Sequence, residues 1–178
     1  MSLRSLLSAL GLLTAAALLP AAAHAADDGY CAATGGVPTT VHPYANTNSD
    51  AENWIRYGGS DKVCTYTDAG GARISVWAST LSSRKPTMAA LAYYAKVAWD
   101  GQGQGNPAWL YCKQIGGTEQ IGVVGSGSGW ATEAGADLRN MCQFADGSAI
   151  DDWGLLYHAN DVIRGKDLDG VLKFANPY

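Results

Sequence analysis

The sequence predicts an α+β fold made of two repeats, each a short helix followed by an antiparallel β-meander and closed by its own disulfide. Three observations predict it. Tyr30-Cys31 followed by Gly35-Gly36 reappears as Tyr111-Cys112 followed by Gly116-Gly117. Val63-Cys64-Thr65-Tyr66-Thr67-Asp68 matches Met141-Cys142-Gln143-Phe144-Ala145-Asp146, and a Trp follows each block, Trp77 and Trp153. All 4 Cys belong to these blocks at similar spacing, so equivalent units predict equivalent bonds, Cys31–Cys64 and Cys112–Cys142.

Taken in chain order, residues 1–25 read as an export signal. Arg4 supplies a positive start and Leu6 to Leu19 an apolar stretch. Ala23-His24-Ala25 gives the small-x-small cleavage pattern, with Ala26 as the new N-terminus. Repeat 1 occupies 26–86. Its helix starts close to Ala26 with Asp27 and Asp28 in the first turn, where negative charge is favourable by ~0.3–1 kcal/mol. The polar segment Val37 to Ser60, with Trp54 and Tyr57, predicts one strand and a long loop. Residues 87–105 form a connector. Thr87 caps a helix with Leu91, Tyr94, Ala95 and Ala98 on one face, and Asp100 to Gly105 is a Gly-rich linker.

Repeat 2, with a C-terminal tail, fills 106–178. Asn106 suits an N-cap and Pro107 the first helical position. Ala108, Tyr111, Cys112 and Ile115 share one face, and Gly116-Gly117 end the helix. Thr118 to Val124 reads as a strand, Gly125 to Gly129 as a turn, and Trp130 to Ala134 as a strand start. Arg139 to Ala145 is the Cys142 strand and Asp146-Gly147 a two-residue hairpin turn. Ser148 to His158 is the returning strand, with Trp153, Leu155 and Tyr157 on one face. Val162, Leu168, Val171 and Phe174 cover an edge of the second unit.

Composition narrows the function classes. Of 178 residues, 47% are hydrophobic and 16% charged, which is globular composition. The formal charge of −4 argues against a nucleic-acid binder, whose surface would be positive. After the signal no apolar run reaches the length of a spanning helix, and lysis by direct insertion is not expected. Even Cys usage in an exported chain favours disulfides over zinc, because no CxxC-type or His-rich spacing exists. No cofactor or metal is expected.

The chemistry-bearing patterns are weak. Val124 to Trp130 is Gly-rich but has neither phosphate-loop nor nucleophile-elbow spacing. Asp151 and Asp152 are neighbours on a predicted strand and so point to opposite faces, which argues against a shared-proton pair. His158 reads as a surface or hydrogen-bonded residue. Aromatics are the surplus: Trp77 and Trp153, at matching positions, read as core, while Trp54, Trp99, Trp109 and Trp130 are the candidate recognition surface.

The block Asn106-Pro107-Ala108-Trp109-Leu110-Tyr111-Cys112, with Gly116-Gly117 and Cys142 to Gly147 followed by Trp153, resembles domain of unknown function 333. This is a small bacterial exported domain that often carries a haemolysin label. The resemblance covers Asn106 to about His158 well and Tyr30 to about Thr80 more loosely. It departs at Ala145, where the family commonly has Pro, and in lacking a lipid-anchor Cys after the signal. It implies an exported compact domain and transfers no catalytic residues.

The expected function is therefore a periplasmic or secreted, non-catalytic binding module for a protein, peptide or glycan ligand. A small secreted hydrolase and a peptidase-inhibitor-like protein are the alternatives.

Overall fold

The computed structural model describes residues 21–122 and 125–178. Arg4 and Leu6 to Leu19 of the expected export signal, and Val123-Val124 of the expected strand, lie outside the described residues. The fold is α+β around an antiparallel sheet, with disulfides Cys31–Cys64 and Cys112–Cys142 as expected.

Helix α1 spans Ala21–Ala33 and α4 Pro107–Gln114. Both end the same way. Gly35 and Gly116 take φ of 86° and 87°, the left-handed conformation that lacks a Cβ penalty only for glycine. The next glycine then donates its N–H back to the cysteine carbonyl, Gly36 to Cys31 at 2.9 Å and Gly117 to Cys112 at 2.8 Å. A Cβ on Gly36 would collide with Cys64 Sγ, and one on Gly117 with Cys142 Sγ. In α4, Asn106 Oδ1 accepts from Ala108 N at 2.9 Å with Pro107 inside the first turn, and Ala108, Tyr111 and Cys112 are buried.

Strands β1 (Val37–Ala45), β2 (Ile55–Arg56), β3 (Asp61–Thr67), β4 (Arg73–Trp77), β5 (Ser128–Ala131), β6 (Met141–Gln143) and β7 (Ala149–Asp151) form one sheet. Its order is β2-β1-β3-β4-β7-β6, with β5 paired to the far end of β1. The registers around the disulfides agree. Val37 pairs with Thr65 and Thr118 with Gln143, each glycine's successor facing the residue after the cysteine. Cys64 pairs with Val76 and Cys142 with Ile150. Val76 and Ile150 pair with each other, which joins the two hairpins at the centre of the sheet.

Alternation splits the core between the two faces. Cys64, Tyr66, Ile74, Val76, Cys142 and Ile150 share a buried cluster with residues of the helices, while Val63, Trp77, Met141 and Ala149 form a second with Val41. Trp130 on β5 packs edge-on to Trp77 over the second cluster, ring centroids 4.8 Å apart.

Several elements differ from the expectation. The segment expected as a returning strand from Ser148 to His158 is β7 followed by helix α5, Asp152–Ala159. Asp151 stops the strand because its Oδ1 accepts Gly154 N at 2.6 Å, an N-cap. Leu155, Leu156 and His158 then face inward, and Trp153 packs partly buried with Tyr157, centroids 5.8 Å apart. Trp153 is thus in a helix and does not match Trp77, which ends β4. A short apolar run of this length fits both periods, and the cap decides.

The expected two-residue turn at Asp146-Gly147 is a three-residue loop, Ala145 to Gly147, with Phe144 N donating to Ser148 O at 2.9 Å and Gly147 at φ 79°. The first hairpin ends in the same way, with Asp68 N donating to Ala72 O and Gly71 at φ 84°. The hairpins differ in arm length, because β3 and β4 run further past the disulfide than β6 and β7 do. Thr118 makes only an isolated bridge.

The connector contains α2 (Ala78–Ser82), then α3 (Met88–Ala95), where Thr87 Oγ1 accepts from Ala90 N as an N-cap. Lys96, at φ 43°, ends α3. In the tail Leu168, Val171 and Leu172 are buried, whereas Val162 is exposed. Among the described residues no helix is long and apolar enough to cross a membrane.

Candidate binding site

The site grows from the second disulfide. Gly117 fixes where the chain leaves α4, and Thr118 is held on Gln143 by paired hydrogen bonds of 2.8 Å. The following residue is Glu119. Ser128 Oγ donates to Glu119 O at 3.0 Å and accepts from Ile121 N at 3.2 Å, so β5 pins this loop. From the other side, Asp152 N donates to Asn140 O at 3.0 Å, which carries the β6–β7 pairing to the first residue of α5.

These two chain paths bring the side chains of Glu119 and Asp152 together. Glu119 is 8% exposed and Asp152 1%. Asp152 Oδ1 accepts Trp153 N at 2.7 Å. Glu119 Oε1 and Asp152 Oδ2 are buried, and among the described residues no N–H or hydroxyl donates to them. The two carboxyl groups lie within hydrogen-bonding range of each other.

Burial, then Asp152's charge, pushes the Glu119 carboxyl far above the usual carboxylate range. Burial, then Asp151's charge, raises Asp152 less. Near neutral pH the pair holds a proton that two separate surface carboxylates would have lost. Asp151 is a different case. Burial raises it to about 6, opposed by hydrogen bonds from Ser75 N and Gly154 N and by the charges of Arg164 and Arg73. Arg73 is itself paired with Asp137.

Glu119 opens into a cleft of about 540 Å³. Asn48, Asn106, Gln120, Ser128 and Asn140 give it amide and hydroxyl groups, and Trp109 gives it an aromatic wall. Asp151 and Asp152 line a smaller cleft of about 180 Å³ beside it, and Leu138 and Asn140 line both. The volume of the larger cleft is that of an ordinary small-ligand site. Among the described residues no group of three or more His, Cys, Asp or Glu side chains is placed to hold a metal ion.

Of the Trp residues singled out from sequence, Trp109 lines this cleft, half-buried, with Lys113 Nζ 4.4 Å from its ring centroid. Trp54 is half-buried on Tyr44, its Nε1 donating to Ser49 O at 3.0 Å. Trp99 packs against the helix-side core and Trp130 against Trp77, and the buried Nε1 of each has no partner among the described residues. Contrary to the surface or hydrogen-bonded reading, His158 is 3% exposed, stacked on Tyr93 at 3.6 Å, and neither ring nitrogen has a partner among the described residues. Burial lowers its pKa.

Sequence reasoning weighed Asp152 only with Asp151 and missed Glu119. The signal lay in the alignment of the two blocks, where Glu119 stands two residues after Gly117 and Pro38 two after Gly36. Reading α5 as a strand hid the rest, because it sent Asp152 to a sheet face and not into the first turn of a helix.

No curated protein and no solved structure matches the chain. Tyr30 to Thr80 is outside the stretch that a family model covers. That stretch is residues 103–159, which carry α4, Glu119, the second disulfide and α5, and they match the family described as Domain of unknown function (DUF333).

Proposed function

We propose that the chain is an extracytoplasmic, disulfide-stabilised binding module, without catalysis of its own, that takes a polar ligand in the Trp109–Glu119 cleft. It is built from two copies of one helix-and-hairpin unit, 26–86 and 106–178, and is released by cleavage before Ala26 into the periplasm or medium. Disulfides belong to oxidising compartments and support the address. The agreeing helix ends and registers about the disulfides support the two-copy reading.

One observation carries the binding reading. At the positions that flank the first disulfide as Pro38 and Ala78, the second half places two buried acids, Glu119 on the wall of the larger cleft and Asp152 on that of the smaller one. Buried carboxyls without partners cost stability, and the first half closes the same frame without them.

The test is a titration followed by amide NMR, with chitotriose and blocked tripeptides as probes. Shifts concentrated at Asn106, Trp109, Gln120, Ser128 and Asn140, and lost in Trp109→Ala, are the expected result. Shifts confined to other surfaces would move the site elsewhere.

The same carboxyl pair favours one rival, a small secreted hydrolase, because two carboxyls of unequal proton affinity are acid–base equipment. Turnover of a probe, abolished by both Glu119→Gln and Asp152→Asn, would establish that rival. A His-dependent hydrolase has less support, since His158 has neither a Ser nor a carboxylate bonded to it.

A further inference from the structure

Exposed apolar residues on and after α5 lie beside arginines whose donors are not all used, outside the Trp109–Glu119 cleft. We propose that this face docks an acidic segment of a partner protein, which lays one aliphatic or aromatic side chain on Trp153, Tyr157, Val162 and Ile163 and gives a neighbouring carboxylate to Arg164 and Arg139.

The apolar half is a cleft of about 500 Å³ between α5 and the turn that follows it. Val162 and Ile163 are each 45% exposed and Tyr157 39%. Such residues standing singly need no partner, but these stand together with half-buried Trp153 on one wall. The turn is pinned at both ends. Val162 N donates to Tyr157 O at 2.9 Å, and Gly165 N donates to Asp68 Oδ2 at 3.2 Å. Gly165, at φ 65°, is packed so closely that a Cβ would strike Tyr66 O. The fold therefore holds Val162 and Ile163 outward, and a partner meets a surface with little left to order.

Trp153 and Arg164 also line the small cleft, together with Arg73 and Arg139. The acids around it have their oxygens engaged. Asp137 bonds Arg73, Asp68 accepts from Gly70 N, Ala72 N and Gly165 N, and Asp151 accepts from Ser75 N and Gly154 N. Asp152 accepts Trp153 N and otherwise meets Glu119. Arg164 offsets the charge of Asp151 through space, but its guanidinium lies over the Tyr157 ring, 5.1 Å from the centroid, and bonds no carboxylate among the described residues. The buried Nε of Arg139 has no acceptor among them either. The deficit is of acceptors, and a carboxylate supplies two oxygens to guanidinium forks.

The openness of the face selects the occupant. A small ligand is usually enclosed over most of its surface, whereas these walls are themselves half exposed and suit a side chain carried by a larger partner. Trp, Tyr and Arg are the residue types that anchor such contacts. A lipid surface fits less well, because a wide anionic plane would also meet Asp161, Asp167 and Asp169, all exposed, on a chain of formal charge −4. A single peptide carboxylate meets the arginines alone.

The experiment is amide NMR of the full chain titrated with N-acetyl-Ala-Leu-Glu-Ala-amide, with its Gln isostere in place of Glu, and with Ser in place of Leu. The Leu-Glu peptide is expected to shift Trp153, Tyr157, Val162 and Ile163, and to weaken as salt is raised. The Gln peptide is expected to bind at least about tenfold more weakly and the Ser peptide at least about fivefold. Arg164→Gln is expected to erase the preference for Glu over Gln and to keep that for Leu over Ser, a split that misfolding would not give.

Equal binding of the Glu and Gln peptides, a Glu preference unchanged in Arg164→Gln, shifts centred on Trp109 and Gln120, or no shift with any peptide would each overturn the proposal. Shifts of Val162 and Ile163 that grow with protein concentration alone would give the face to a second copy. Shifts there with phosphatidylglycerol vesicles and not with peptide would give it to a membrane. Either result overturns the proposal and leaves the reading of the Trp109–Glu119 cleft untouched, and the peptide series on the unmodified chain decides even if the variant does not fold.

Discussion

Around Cys31–Cys64 the positions flanking the disulfide hold Pro38, Trp77 and Ala78, and around Cys112–Cys142 the same positions hold Glu119, Asp151 and Asp152. Trp77 and Ala78 are both 1% exposed and fill core space. The counterparts in the second half are acids, and Glu119 and Asp152 each keep a buried oxygen to which no N–H or hydroxyl among the described residues donates. The helix ends, close glycines and strand registers agree between the halves, so the frame itself does not call for acids. One half uses the frame to close a core, and the other keeps polar groups inside it beside a cleft. The contrast separates what holds the molecule together from what is available for a ligand.

The largest expected effect tests the shared frame. Replacing both cysteines by Ala in either half removes a closed loop of about thirty residues and is expected to cost roughly 3–4 kcal/mol. Urea denaturation of Cys31→Ala/Cys64→Ala and of Cys112→Ala/Cys142→Ala should give similar losses. A loss about twice as large in one half would break the equivalence of the two.

The glycines that sit on the disulfides sharpen the same point. Gly36→Ala and Gly117→Ala each push a methyl into a sulfur, and overpacking of this kind costs typically ~1–3 kcal/mol. Midpoints of thermal unfolding should drop for both. A neutral result for Gly117→Ala alone would show that the second disulfide has room the first lacks.

The acids should set the halves apart. Glu119 and Asp152 have raised pKa values in the fold, so the folded state retains protons that the unfolded chain releases. Their contribution is complete below the usual carboxylate range and is lost as pH rises through the folded values. Stability is therefore expected to decline from about pH 5 to about pH 9, and Glu119→Gln to flatten that decline and to gain roughly 1–2 kcal/mol at the alkaline end. Denaturant midpoints across that range give the slope, and an unchanged slope in the variant would place its cause elsewhere.

The smallest effect has the opposite sign. His158 has a lowered pKa, so its contribution is present above its ordinary value near 6.5 and is lost as pH falls through the folded value. His158→Phe keeps a ring on Tyr93 and should remove a loss of about 1 kcal/mol or less between pH 7 and pH 5, read from melting temperatures. An acid loss that persists in His158→Phe belongs to other groups.

Much of the frame was legible from local signals. Asn106-Pro107, Gly116-Gly117 and Thr87 mark helix ends through the backbone geometry each residue favours, and those ends are where they were expected. The Cys pairing followed from the matching blocks. The candidate site was not legible in the same way. Trp109 was singled out for its type, and Glu119 carried no local pattern at all. Asp151 misled the strand assignment because a single side-chain bond to Gly154 N turns the chain from strand to helix.

The sequence by itself determined features whose causes are short-range: where α3 and α4 start, where α4 stops, and which residues around Cys64 and Cys142 alternate into a sheet. Tertiary structure alone decided that Val76 pairs with Ile150, so that two hairpins share one sheet, and that Glu119 meets Asp152. Burial and partnership depend on what distant segments bring to the same place. A carboxyl's proton affinity is set by that neighbourhood and not by its place in the chain.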